Sequence, residues 1–272
     1  MFSFALTPEI ITRVLGWLHT AGLFALGRQA DAPASIKADG TQVTPVDLEL
    51  ERYLTTQINH AFPDHNVMGE ESGRTSRAGA PVTWVIDPLD GTSAYLEGIA
   101  GWAIAVGILV EDRPVYGFHY APRLNEMTFT DQFGQVIRNG LPVKRLPQER
   151  WHRRAYLAVG SASNYDYRLN IRRCRTLGSV STNIVYTACG LAAAAFIPKA
   201  CAWDLAAPLA ILQSQGAVLR YLSGGPFSIS SLLDGSNLRE PLVAAHPTLI
   251  DQVCRHISYR PPTSPLQQPG MR

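Results

Sequence analysis

A chain of 272 residues, 46% hydrophobic and 17% charged, is long enough to bury a large core as one or two domains and too apolar to be a disordered polymer. Its formal net charge of +2 carries no signature of nucleic-acid or membrane-surface binding. Four cysteines (Cys174, Cys189, Cys201, Cys254) stand far apart with no CxxC pair, which argues against a disulfide framework or a zinc site and fits free thiols in a reducing compartment.

The first segment, Pro8 to about Ala30, is expected to be helical. Ile10, Ile11, Val14, Leu15 and Leu18 form one apolar stripe, with Thr7 as cap and Pro8 at the first helical position. Glu9, Arg13, His19 and Arg28 interrupt it, so a membrane span is not expected, and no signal-peptide pattern precedes it. A cytoplasmic location follows as the expectation. Ala32 to Val43 reads as a polar loop containing Asp39. Thr44-Pro45-Val46-Asp47 then opens a second helix with a capping box, and Leu50, Tyr53, Leu54, Ile58 and Ala61 mark its inner face up to Pro63.

Val67 to Gly69 reads as a short strand opening into the acidic loop Glu70-Glu71-Ser72-Gly73. After a polar spacer, Val82 to Ile86 is β-branched and aromatic, as an interior strand should be. Asp87-Pro88 is expected to end it, and Asp90-Gly91 to turn the chain. Strands follow at 103–110, 114–120 and 126–130, and Asn139-Gly140 signals a hairpin, so this sheet should be largely antiparallel. A composition change at 147–154 places a soft boundary, dividing the chain into 1–150, 151–260 and a proline-rich tail, 261–272, expected to be disordered. The second half reads as a strand at 155–160, a helix from Val180 to Ala195, a helix beginning at Trp203-Asp204, strands at 216–219 and 242–245, and a last helix from Pro247 to Ile257. Helices alternating with sheets give a layered α/β or α+β class.

Glu70, Glu71, Asp87, Asp90 and Asp204 each have an ordinary reading as loop acids, turn formers or a helix cap, and Asp47 as the acid of its capping box. Together they sit where strands or loops meet turns and helix starts, the places where α/β proteins build sites. No histidine or cysteine lies beside them, and an all-oxygen set selects Mg²⁺ or Mn²⁺ over zinc. The amides of Gly91 and Thr92, if they open a helix, suit a phosphate at the same point. No P-loop, GxSxG elbow or HExxH helix is present.

Gly69-Glu70-Glu71-Ser72, then Asp87-Pro88-Leu89-Asp90-Gly91-Thr92, then Trp203-Asp204-Leu205-Ala206-Ala207 resemble the motifs of the inositol monophosphatase family of Mg²⁺-dependent, often lithium-sensitive phosphatases. The resemblance runs from the first helix to about residue 258. It implies an α-β-α-β-α sandwich of the inositol monophosphatase/fructose-1,6-bisphosphatase type, commonly a homodimer, holding two or three Mg²⁺ ions. Glu70, Asp87 and the Leu89 carbonyl would hold the first metal, and Asp87, Asp90 and Asp204 the second, with Glu70 also reaching a third. Gly91 and Thr92 would bind phosphate, Thr92 with Asp47 would orient a metal-activated water, and Glu71 would support the ligands. Gly178 and Ser179 match the segment lining the substrate pocket.

The expected substrate is a small phosphorylated metabolite, inositol monophosphate first, with fructose bisphosphate, histidinol phosphate and adenosine 3′,5′-bisphosphate as alternatives. A non-catalytic metal-binding scaffold is the reading from another class. Seven residues before Asp204, where inositol-specific members carry a glutamate that binds ring hydroxyls, stands Ile197, expected at the same substrate-binding position but unable to accept those hydrogen bonds. Lys199 offers a positive contact or is a surface lysine. The arginines at 150, 153, 154, 168, 172, 173 and 175 either recognise a second phosphate or are solvated.

Overall fold

The computed structural model describes residues 4–260 apart from 30–32, 38–39, 76, 78, 145 and 162. The expectations for Asp39 and for the tail 261–272 fall outside the described residues. The chain begins with α1 (Pro8–Arg28), capped by Thr7, whose side chain accepts from the Ile10 amide. By length and hydropathy this helix passes for a membrane span. Its apolar stripe, Ile11, Val14, Leu18, Ala21 and Ala25, is buried in the core.

The polar loop that follows contains a small hairpin, β1 (Ser35–Ile36) with β2 (Gln42–Val43). Next comes α2 (Pro45–Ala61), with its capping box formed: Asp47 Oδ2 accepts from the Thr44 amide at 2.8 Å and from the Thr44 hydroxyl at 2.6 Å. Then β3 (Asn66–Gly69), β4 (Gly73–Arg74), β5 (Val82–Asp90), α3 (Thr92–Leu96), β6 (Ala103–Val110), β7 (Arg113–Ala121), β8 (Glu126–Thr130), β9 (Val136–Arg138) and β10 (Leu141–Pro142) complete the first half. They form one eight-stranded sheet in the order β10-β9-β8-β7-β6-β5-β3-β4, antiparallel except for the β3–β5 pair. The Asn139-Gly140 hairpin forms, with both residues at positive φ.

The second half runs through β11 (Leu157–Val159), α4 (Ser163–Asp166), β12 (Tyr167–Leu169), β13 (Cys174–Thr176), α5 (Val180–Ala188), β14 (Ala194–Ile197), α6 (Ala202–Ser214), β15 (Val218–Tyr221), β16 (Leu242–Ala245), α7 (Ile250–Cys254) and β17 (Ile257–Tyr259). A five-stranded sheet takes the order β13-β11-β14-β16-β15, and β12 pairs with β17. The result is five layers. Helices α1 and α2 cover one face of the large sheet, α5 and α6 lie between the two sheets, and α7 covers the far face of the small sheet.

Three elements depart from the expected pattern. The helix at Val180 stops at Ala188, where Gly190 takes a left-handed φ of 65°, and Ala194 to Ile197 is a strand instead. Alanine favours helix locally. Here the pairing of β14 with β11 on one side and β16 on the other prevails. The last helix is a five-residue turn followed by β17. Strand β5 does not end at Asp87 but continues to Asp90, with its register to β6 shifting between those two residues.

Candidate active site

The bulge in β5 builds the centre of the site. In a regular strand, residues three apart point to opposite faces, so Asp87 and Asp90 would be separated by the sheet. An extra residue corrects the parity. Pro88, which has no amide to donate, sits in that irregular stretch. Asp204 arrives from the other half at the first turn of α6 and accepts from the Cys201 amide at 2.6 Å. The helix lies close on the sheet because Gly107 and Gly117 of β6 and β7 present no side chain to Ala206 and Ala207. A Cβ at Gly117 would stand 2.1 Å from the Ala207 carbonyl oxygen.

One carboxylate oxygen from each of Asp87, Asp90 and Asp204 falls within 4.8 Å of the others. Asp87 Oδ1 accepts from the Leu89 amide at 3.1 Å, while its Oδ2 is buried with no hydrogen-bond partner. Asp90 accepts from the amides of Val180 (3.1 Å) and Ser181 (2.6 Å), so the first turn of α5 is anchored on it. Burial pushes all three acids above the usual carboxylate range. The neighbouring charges of Asp90, Glu70 and Asp204 add to this at Asp87, and that of Asp90 adds at Asp204. An orphaned carboxyl oxygen among clustered, largely buried, all-oxygen donors fits a hard divalent cation.

Glu70 lies outside this trio. Its carboxylate accepts from Lys37 Nζ at 2.7 Å, and the same ammonium reaches Glu71 at 2.5 Å. Burial, only partly offset by Lys37, raises the Glu70 carboxyl to about 7. The loop carrying both glutamates is shaped by Glu51, which the sequence analysis missed. Its buried carboxylate accepts from the amides of Glu71 and Ser72, each at 2.8 Å, and packs where any Cβ on Gly69 would clash. Its signal is its place one helical turn after Asp47.

Gly91, at φ 90°, precedes the short helix α3, and a Cβ there would lie 2.4 Å from the Gly178 carbonyl oxygen. Thr92 Oγ1 stands 3.3 Å from Asp47 Oδ1 and 3.2 Å from the Leu89 carbonyl oxygen. Asp47 is therefore both the capping acid and the partner of Thr92.

These groups line a cavity of about 740 Å³. Glu70, Asp87, Leu89, Asp90, Gly91, Thr92 and Asp204 line it together with Gly160, Ser161, Thr176, Gly178, Ser179 and Val180. Thr41, Gln42, Ser93 and Glu97 edge it, with Ser93 Oγ donating to Gln42 at 2.9 Å. Among the described lining residues none is lysine, arginine or histidine.

Over residues 16–258 the sequence matches the profile of the inositol monophosphatase family. The chain belongs to the inositol monophosphatase family. Members of this family are phosphoric monoester hydrolases. The chain is 28% identical over 253 residues to a Nus factor SuhB of Pasteurella multocida, covering 85% of this chain and 87% of that one. It is 28% identical over 236 residues to inositol monophosphatase 1 of Bos taurus, covering 80% and 82%. The solved structure of an inositol monophosphatase from Thermotoga maritima superposes with a TM-score of 0.78 at 22% identity, covering 91% of this chain and 96% of that one.

Within this inositol monophosphatase fold, one expected substrate contact is corrected. Ile197, the last residue of β14, is 1% exposed and packs in the core around α5 and α6, so it is not part of the cavity wall. An apolar side chain at that strand end gains more from burial than from facing a wet cavity. Lys199 is exposed and does not line the cavity, and neither do the seven arginines. Arg175 instead lies over the Tyr156 ring, 5.3 Å from its centroid.

Proposed function

We propose that the protein is a Mg²⁺-dependent phosphomonoesterase that hydrolyses the monophosphate ester of a small polyhydroxylated alcohol, with inositol monophosphate as the first candidate. The observation that carries this reading is the trio of buried Asp87 and Asp90 with half-buried Asp204, Asp87 Oδ2 having no hydrogen-bond partner among the described residues, beside Gly91 and Thr92. Asp87, Asp90 and Asp204 would hold divalent cations, with Glu70 and the Leu89 carbonyl bordering the same space. Bound there, a divalent cation offsets the ester's negative charge, acidifies a water and stabilises the leaving oxygen. Gly91 and Thr92 offer backbone amides to the phosphate oxygens. The Thr92 hydroxyl, held by Asp47, orients the attacking water.

The cavity wall supports the substrate class. A second phosphate would meet carboxylates and no lysine or arginine among the described lining residues, which leaves its charge uncompensated. Ser93, Glu97, Ser161, Thr176 and Gln42 instead offer the hydroxyls, carboxylate and amide that recognise an alcohol's hydroxyl groups. The four thiols, none in a disulfide, are consistent with a cytoplasmic location, and the family likeness supports a homodimer.

A phosphatase panel with and without Mg²⁺ tests the proposal. Inositol 1-phosphate is expected to be hydrolysed faster than fructose 1,6-bisphosphate or adenosine 3′,5′-bisphosphate. Preference for a bisphosphate would overturn the substrate assignment, and a folded protein without turnover under any divalent metal would favour the scaffold.

A further inference from the structure

Behind the cavity wall lies a buried polar cluster that the chemistry above does not use. His119 of β7 is 2% exposed, and its Nε2 stands 3.1 Å from Oγ1 of Thr182 in α5. That hydroxyl is also 2.7 Å from Ser179 Oγ and 3.2 Å from the Gly101 carbonyl oxygen. A hydroxyl has one proton and two lone pairs. The Gly101 carbonyl has no proton, so it must receive the one from Thr182. Ser179 and His119 must then both donate to Thr182. Ser179 Oγ in turn accepts from the Thr182 amide at 3.0 Å, capping α5. All three contacts of the Thr182 hydroxyl are hydrogen bonds at once when the imidazole carries its proton on Nε2. Burial holds its pKa down at about 4, so it stays neutral at ordinary pH.

The cluster joins the two halves at the point where they share the cavity. His119 belongs to the large sheet. Gly178 and Ser179 line the cavity, and the next two amides, Val180 and Ser181, bind Asp90. The backbones around Gly101 and Gly178 touch so closely that a Cβ on Gly101 would overlap the Leu177 carbonyl. A shift of Thr182 would therefore move both the wall facing the leaving alcohol and the amides holding a metal-site carboxylate.

We propose that His119 is a positioning residue for substrate: as Nε2–H donor to Thr182 it fixes the Gly178–Ser181 segment against the acidic cluster. This rests on the phosphatase reading for its kinetic consequence, but not for its hydrogen-bond assignment. The test compares His119→Phe, His119→Gln, Thr182→Val and the double variant His119→Phe/Thr182→Val on whichever phosphate ester the wild type hydrolyses. Loss of the donor in His119→Phe, or of the hydroxyl in Thr182→Val, is expected to lower kcat/KM about tenfold, with the double variant no worse than either single one. Glutamine, which retains a side-chain N–H, is expected to recover most of the loss. Independently of activity, ¹⁵N NMR of the wild-type imidazole is expected to show the Nε2–H tautomer, with its signals perturbed in Thr182→Val. Unchanged kcat/KM in folded Thr182→Val, additive losses in the double variant, or an Nδ1–H tautomer would each overturn the proposal. If the wild type hydrolyses no ester, the phosphatase reading falls, and the NMR result alone decides the His119 assignment.

Discussion

Replacing Asp87 with asparagine should stabilise the metal-free protein while removing its response to metal. Asp87 Oδ1 accepts from the Leu89 amide and Oδ2 has no partner, so an asparagine can keep the first contact and turn its amide N–H₂ toward the remaining acids. The three carboxylates approach within 4.8 Å. At an effective dielectric of about 20, two full charges at such a spacing repel by about 3 kcal/mol. Burial already pushes these groups toward the protonated form, so only part of that repulsion is present to be relieved. A gain of about 1–2 kcal/mol is expected, or a Tm rise of about 2–8 °C for a chain of this size. Differential scanning calorimetry in chelator, then with Mg²⁺, measures both effects. The wild type should gain stability on adding Mg²⁺ by mass action, and Asp87→Asn should gain little and hydrolyse no ester. An Asp87→Asn protein less stable than wild type in chelator, or stabilised by Mg²⁺ to the same extent, would refute the electrostatic account.

Two further outcomes follow from the same geometry. Glu70 titrates at about 7 in the folded chain against an ordinary 4.5, so the folded state keeps its proton longer than the unfolded state does. The stability this contributes is complete below the ordinary value and is lost as pH rises through about 7, with Asp87, Asp90 and Asp204 acting in the same direction. The Tm in chelator should therefore fall as pH rises across that window, and Mg²⁺, which binds the deprotonated carboxylates, should flatten or reverse the trend; a chelator Tm that climbs would contradict this. Gly117→Ala would drive a methyl into the Ala207 carbonyl and push α6 away from the sheet. It should cost about 1–3 kcal/mol in urea unfolding and, by displacing Asp204, lower kcat/KM about 100-fold; a variant with wild-type activity would show that the glycine contact does not place Asp204.

Much of the architecture was legible because local signals and tertiary demands agree. Thr44-Pro45-Val46-Asp47 caps its helix as its chemistry requires, and Asn139-Gly140 turns its hairpin at positive φ. The acids that cluster were nameable because strand ends and helix starts are where a layered fold exposes functional groups. The misses have physical causes. Ala192 to Ala195 has helix-forming side chains, yet the neighbouring strands recruit the end of that segment into the sheet. Pro88 suggested a strand end, whereas a bulge accommodates it and sets the facing of two acids. Lys37 and Glu51 acquire their roles through contacts 33 and 20 residues away, to Glu70 and Glu71, which no local pattern encodes. Counting back from Asp204 located Ile197 in the chain but not the direction of its side chain, which the packing of β14 decides.

Gly91, Gly101 and the Leu177-Gly178 segment meet backbone to backbone, with the Ser179 Cβ beside Gly91. This contact separates two inheritances within one cavity. Glu70, Asp87, Asp90 and the Thr92 turn line the cavity from one side of this seam, and Ser161, Thr176, Val180 and Asp204 from the other. Side chains that cross it, Asp90 to the Val180 and Ser181 amides and Thr182 to the Gly101 carbonyl, bind backbone, so exchanging Ser161 or Thr176 leaves those bonds in place. A designer seeking a new substrate for this scaffold would vary Ser161 and Thr176 first and leave the three glycines alone.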